Sequence, residues 1–208
     1  RKLDKWYVID DGQKESVPID WTIHLRRKPM KTDPKHTLNA NIKFALSHIK
    51  EEGVLLFIED DEYYAPQYVE TMTQRMISKP FTGIIRSRYY HLPSMSYFVH
   101  NTTNHASLAQ TMIPTSYFKR LELLLPGSPF VDLRIWEDAQ KNYRDQCLLF
   151  HDSPKAIYVG MKGMPGRTGI GSGHSGKFGR HDREFLKLKE WMPSDHVYYE
   201  RILQNGGR

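Results

Sequence analysis

Four acids in a row, Glu59-Asp60-Asp61-Glu62, follow directly on the apolar run Val54-Leu55-Leu56-Phe57-Ile58. Carboxylates this close repel one another unless a cation or a hydrogen-bond network neutralises them, and hard oxygen donors suit Mg²⁺ or Mn²⁺. With no spacer between a buried-type strand and the acids, the pattern favours a metal site built from Glu59, Asp60 and Asp61 over an acidic turn facing water. A second acidic turn, Asp10-Asp11-Gly12, ends the run Trp6-Tyr7-Val8-Ile9 in the same way. A carboxylate there can hydrogen-bond a nucleoside base or a ribose hydroxyl. Taken alone, Asp-Gly is an ordinary turn pair.

Phosphate chemistry has its own candidate segment. Eight of the 14 glycines fall within Gly160 to Gly179, where Lys162, Arg167 and Lys177 add positive charge. Repeated glycines let backbone N–H groups approach an anion closely. Such a loop can close over a diphosphate and exclude water. No Gly-Lys-Ser/Thr closes it at the offset a P-loop needs. Zinc spacing is missing, Cys147 has no companion that makes it a nucleophile, and Gly-x-Ser-x-Gly does not occur. His105 and Ser107 read first as part of a polar turn entering a helix rather than as acceptor contacts.

Strand and helix signals alternate through the first third, the order that marks a parallel α/β sheet. Trp6 to Ile9 and Thr22 to Leu25 read as short strands, followed by the basic loop Arg26 to Lys35. Leu38, Ile42, Ala45, Leu46 and Ile49 recur at helical spacing, and this helix ends near Gly53. Val54 to Ile58 reads as a central parallel strand covered on both faces, which places the two acidic turns along one edge of one sheet. Tyr68 to Met76 and Ser116 to Leu125 read as helices. Gly83 to Arg88, Ser96 to His100 and Ala156 to Val159 read as strands, and Pro126-Gly127-Ser128-Pro129 breaks the chain.

Composition sets the class. The 208 residues carry 30 Lys+Arg against 24 Asp+Glu, a formal charge of +6, with 39% hydrophobic and 12% aromatic residues, enough for the core of one domain. The expectation is a single domain, with residues 1–80 as a nucleotide-binding half and 81–208 as an acceptor half. No apolar stretch is long enough to span a bilayer and no secretion signal opens the chain. One cysteine and eight methionines make cytoplasm the default compartment. The positive charge admits an anionic partner without naming it.

Val8-Ile9-Asp10-Asp11-Gly12, the helix from Leu38 to Ile49, and Val54 to Glu62 together resemble the nucleotide-sugar half of a GT-A glycosyltransferase of the family-2 type. The match covers about the first 70 residues. The later Lys162-Gly163-Met164-Pro165-Gly166-Arg167-Thr168-Gly169-Ile170-Gly171 segment is similar to one in small glycosyltransferase-like proteins of bacteriophages and prophages. The resemblance implies a Rossmann-like, mostly parallel sheet flanked by helices. It also implies that Asp10 or Asp11 contacts the nucleoside, and that the Glu59-Asp60-Asp61 turn holds the cation bridging the donor diphosphate. A late-loop histidine in such enzymes reaches the metal, which points to His174, with His181 as a weaker rival. The family base is an acid at a helix start, often Glu-Asp followed by Leu-Trp. Here Asp132 and Trp136 fit, Val131 replaces the first acid, and Asp138 is the competing choice. Asp132 also suits a helix N-cap. Gln13 stands where the family usually has Ser. The family further has an earlier strand and helix that help hold the base, so either these lie ahead of Arg1 or the base pocket is built differently.

The expected function is therefore transfer of a sugar from a nucleoside-diphosphate sugar, a UDP-sugar among them, to a hydroxyl, with inversion and with Mn²⁺ or Mg²⁺. In a phage-encoded enzyme the acceptor would be a modified DNA base and the site of action the host cytoplasm. Two rivals are a nucleotidyltransferase and a non-catalytic basic nucleic-acid-binding module, the latter suggested by Arg86, Arg88, Tyr89 and Tyr90.

Overall fold

The computed structural model describes residues 5–126, 128–152, 155–166, 174 and 179–206. They form a mixed α/β structure of open sheets flanked by helices. In chain order the main elements are β1 (Tyr7–Asp10), β2 (Ile23–Arg26), α1 (Leu38–His48), β3 (Val54–Leu56), β4 (Tyr63–Tyr64), α2 (Tyr68–Met76), β5 (Phe81–Ile84), β6 (Arg86–His91) and β7 (Ser96–Asn101). Then follow β8 (Thr111–Pro114), α3 (Phe118–Leu124), α4 (Val131–Asn142), β9 (Cys147–Phe150), β10 (Tyr158–Lys162), β11 (Arg180–His181), α5 (Leu186–Trp191) and α6 (His196–Gly206).

The strands make three sheets: β1-β2, β3-β8-β5-β9 and β11-β7-β6-β10-β4. Three expectations are corrected here. Among the described residues, parallel pairing is confined to β1·β2, β5·β9 and β6·β10, and the other five pairings are antiparallel. Val54 to Ile58 is not a central parallel strand: β3 is a three-residue edge strand antiparallel to β8. Its apolar run has a physical reason all the same. Leu55 and Phe57 pack on one hydrophobic cluster, while Leu56 and Ile58 pack on the other. The two acidic turns also belong to different sheets, because β1 pairs only with β2 among the described residues.

Each of the two clusters has its own helices. Ile42 and Leu46 of α1, Leu121 of α3, and Val131, Ile135 and Trp136 of α4 meet Phe81 and Ile113 on one face of the four-stranded sheet. Tyr68 and Met72 of α2 join Ile84, Met112, Tyr90, Tyr158, Val159 and Met161 between the two larger sheets. The chain changes sheet at Ile85, whose N–H donates to Phe150 of β9 and whose carbonyl accepts from Thr102. The expected strand Gly83 to Arg88 is therefore two strands in two sheets. Below it Arg88 forms an ion pair with Asp152, both side chains almost wholly enclosed.

Gly83 decides where α4 can sit. A Cβ there would lie 2.4 Å from Trp136 Cζ2 and 2.7 Å from Ala106 Cβ, so glycine lets the indole lie against β5. Trp136 Nε1 donates to Thr111 Oγ1 at 2.9 Å, which fixes the ring and with it the helix. No helix of the described residues is long and apolar enough to cross a membrane.

Candidate functional site

The acidic turn follows β3 and closes on itself through Glu62 N–H to the Glu59 carbonyl at 3.4 Å. The Glu59 N–H donates to the Tyr64 hydroxyl at 2.8 Å, which ties the turn to β4. One carboxylate oxygen from each of Glu59, Asp61 and Glu62 lies within 4.8 Å of the others. This differs from the expected set: Asp60 is exposed and stands outside this group, and Glu62 takes part instead.

Burial pushes the Glu59 carboxyl up to about 7, with Lys162 and the Ala109 N–H opposing and the charges of Asp61 and Asp132 adding. Asp132 thus lies within electrostatic reach of the turn, 73 positions earlier in the chain. It occupies the first turn of α4 and is itself raised by burial, with the Leu133 N–H and the charge of His105 opposing. A carboxylate raised in this way is a stronger base than a solvated one. It makes no side-chain N-cap bond, since the cap position is Phe130.

Lys162, at the end of β10, reaches Glu62 Oε1 at 2.5 Å and lies 5.5 Å from the Tyr89 ring centre. Gly160 makes room for that ring, since a Cβ there would stand 2.4 Å from Tyr89 Cδ1. Burial disfavours the Lys162 ammonium, yet the charge and hydrogen bond of Glu62 outweigh it and raise the group above its ordinary value. Lys162 was expected to meet phosphate and is held by an acid here. His174 is half-buried, and burial together with Lys162 keeps its imidazole below its ordinary value, with Asp61 opposing. A neutral ring is the form that binds a metal. The His174 carbonyl accepts from His91 Nε2 at 3.2 Å. Arg167 and Lys177 lie outside the described residues.

The first acidic turn is bonded to its own loop and to β2. Asp10 accepts from Gly12 N at 2.9 Å, Ser16 N at 2.7 Å, Ser16 Oγ at 3.1 Å and Arg26 Nη1 at 2.9 Å. These bonds, the Ser16 N–H foremost, hold its carboxyl down to about 2 against burial. Asp10 is a loop staple with its lone pairs taken. Asp11 pairs with Arg27 at 3.2 Å, and Arg27 also pairs with Asp33 at 2.9 Å. Burial would raise Asp11, but Thr37, Asn41 and Arg27 bring it below the ordinary value.

Asp138 does not join the site. It lies six residues beyond Asp132, about 9 Å along the helix and on a different face. Tyr117 Oη donates to it at 2.8 Å, Arg120 Nε at 2.9 Å and Asn142 Nδ2 at 2.9 Å. The basic-aromatic run also reads differently in place: Arg88 and Tyr90 are buried, Tyr89 is half-buried, and of the four only Arg86 is exposed. Two contributors escaped sequence reasoning, Glu62 as the partner of Lys162 and Tyr89 as its platform, while His105, read there as part of a polar turn, acts on Asp132 by its charge. The adjacency of Glu62 to the acidic run was the one signal for the first.

No protein-family model matches this chain, and no curated protein does.

Proposed function

We propose that this chain is a metal-dependent glycosyltransferase that moves a sugar from a nucleoside-diphosphate sugar to a hydroxyl acceptor with inversion. The observation that carries the reading is that the charges of Asp132 and Lys162 both act on Glu59, and that of Asp61 on His174, although these residues come from distant parts of the chain. Hard oxygen donors at this separation fit Mg²⁺ or Mn²⁺, with Glu59 and Asp61 as holders, while the His174 imidazole stands outside this group of ligand atoms. Such an ion supplies charge neutralisation for the departing diphosphate.

The protein's own groups carry the remaining steps. Asp132 takes the proton from the acceptor hydroxyl as that oxygen bonds to the anomeric carbon and the bond to the diphosphate breaks. Lys162 offers a positive charge to a phosphate oxygen. An acceptor in DNA draws support from the net charge of +6 and none from the buried Arg88 and Tyr90. The test is incubation with Mn²⁺ and a panel of sugar nucleotides, following nucleoside diphosphate release. Selective release from one donor supports the reading. Inert behaviour with every donor, together with absent stabilisation by any of them, overturns it.

A further inference from the structure

The turn Leu92-Pro93-Ser94-Met95, between β6 and β7, carries a hydroxyl that sugar transfer leaves unused. Ser94 Oγ lies 2.7 Å from Nδ1 of His91, the last residue of β6. On the far side of the ring, Nε2 lies 3.2 Å from the His174 carbonyl. A carbonyl oxygen only accepts, so Nε2 carries the proton of the neutral ring and Nδ1 offers a lone pair. Ser94 therefore donates to Nδ1, and its own oxygen accepts the Ser96 hydroxyl at 2.7 Å. His91 and Ser96 are buried, while Ser94 is partly open to solvent. Gly163, at φ +72°, lets the chain after β10 lie against the ring: a Cβ there would stand 3.1 Å from His91 Nε2 and 2.5 Å from Pro93 Cδ. Met95, between the two serines, sits at φ +45°, a costly backbone for a residue with a side chain. It is held there by the Asp182 N–H, which donates to its carbonyl at 2.7 Å.

A hydroxyl bonded to an imidazole whose other nitrogen is oriented by a third group is the mark of an activated nucleophile. Closing the hairpin does not call for it, since the Met95 N–H already bonds the Leu92 carbonyl at 3.0 Å. We propose that Ser94 is a nucleophile that accepts an acyl group from a carboxylic ester, with His91 as its base. As Ser94 Oγ bonds to the ester carbonyl carbon, its proton passes to His91 Nδ1, and the alkoxy group leaves with that proton as an alcohol. Water then repeats the step on acyl-Ser94, releasing the carboxylic acid and restoring the hydroxyl. The His174 carbonyl keeps the Nε2–H bond throughout and favours the imidazolium that forms. Neither a metal nor a sugar nucleotide takes part, so this activity stands apart from sugar transfer.

The experiment treats the full chain, in EDTA, with a biotin-linked alkyl fluorophosphonate, whose fluoride leaves as a serine oxygen bonds to phosphorus, and locates the adduct by peptide mass mapping. Wild type should carry the adduct on Ser94 and lose the reaction when heat-unfolded. Ser94→Ala should carry none. His91→Gln, which keeps hydrogen-bonding groups without the basicity, should label about 10²-fold more slowly, with melting curves as fold controls. Where His91→Gln melts early, Ser94→Cys decides: beside His91 its thiol should react with iodoacetamide at least about tenfold faster than Cys147 of the same chain. An unlabelled wild type, an adduct only on other residues, equal labelling of a folded His91→Gln, or a Ser94→Cys thiol no faster than Cys147 overturns the proposal.

Discussion

At the scale of single residues, environment separates acids that look alike in the sequence. Asp10 spends its lone pairs on its own loop, and Asp132 is left with few partners in a buried setting. Asp10→Ala should cost about 2 kcal/mol in urea unfolding, the worth of charge-assisted hydrogen bonds. Because its carboxyl is held below the ordinary value, its stabilisation is present above about pH 4 and is lost as pH falls toward 2. Asp132 has the opposite sign. Its raised carboxyl keeps a proton to higher pH in the folded state, so it works against stability above the ordinary carboxylate value. For the same reason the acid limb of kcat/KM should lie above about pH 4, falling as pH drops through the raised value. Asp132→Asn should lower kcat by about 10²-fold or more while donor affinity and melting temperature hold. An unchanged rate would remove Asp132 from the chemistry.

At the scale of elements, legibility followed how local the deciding physics is. The helix Tyr68–Met76 was legible to the residue, because its amphipathic spacing and Pro66 ahead of it are local signals. The sheet change at Ile85 was not, since it depends on Phe150 and Thr102 arriving from elsewhere. The same holds for β8 and β9, which complete a sheet whose other strands, β3 and β5, come earlier in the chain, and for α5 and α6, whose buried Leu188, Trp191 and Tyr199 join a distant core. Of the candidate site, the acidic turn and Asp132 stood out by residue type alone, while the contact of the turn with Lys162 depends on β10 arriving from 100 positions later. Gly83 links element to site: Gly83→Ala forces Trp136 off β5 and moves α4. This substitution should cost about 1–3 kcal/mol in thermal unfolding, as overpacking does, and should lower turnover beyond what the stability loss explains. Normal turnover in a destabilised Gly83→Ala protein would detach the α4 position from catalysis.

At the scale of the whole molecule, alternating β and α signals imply a parallel sheet only if consecutive strands pair side by side. Here β8 lies between β3 and β5 and pairs antiparallel with both, so the order of elements did not reveal the order in space. Part of the positive charge is also paired inside, where Arg26, Arg27, Arg88 and Lys162 have acidic partners. What the assembly achieves is to bring the end of β3, the end of β10 and the start of α4 to one place. The central claim is that the acids of this place perform sugar transfer with a bound cation. The most direct measurement is nucleoside diphosphate release from the best sugar nucleotide with Mn²⁺, comparing wild type and Asp61→Ala at matched folding. Release should fall by about 10²-fold or more in the variant and in wild type stripped of metal. Undiminished release in either would contradict the claim.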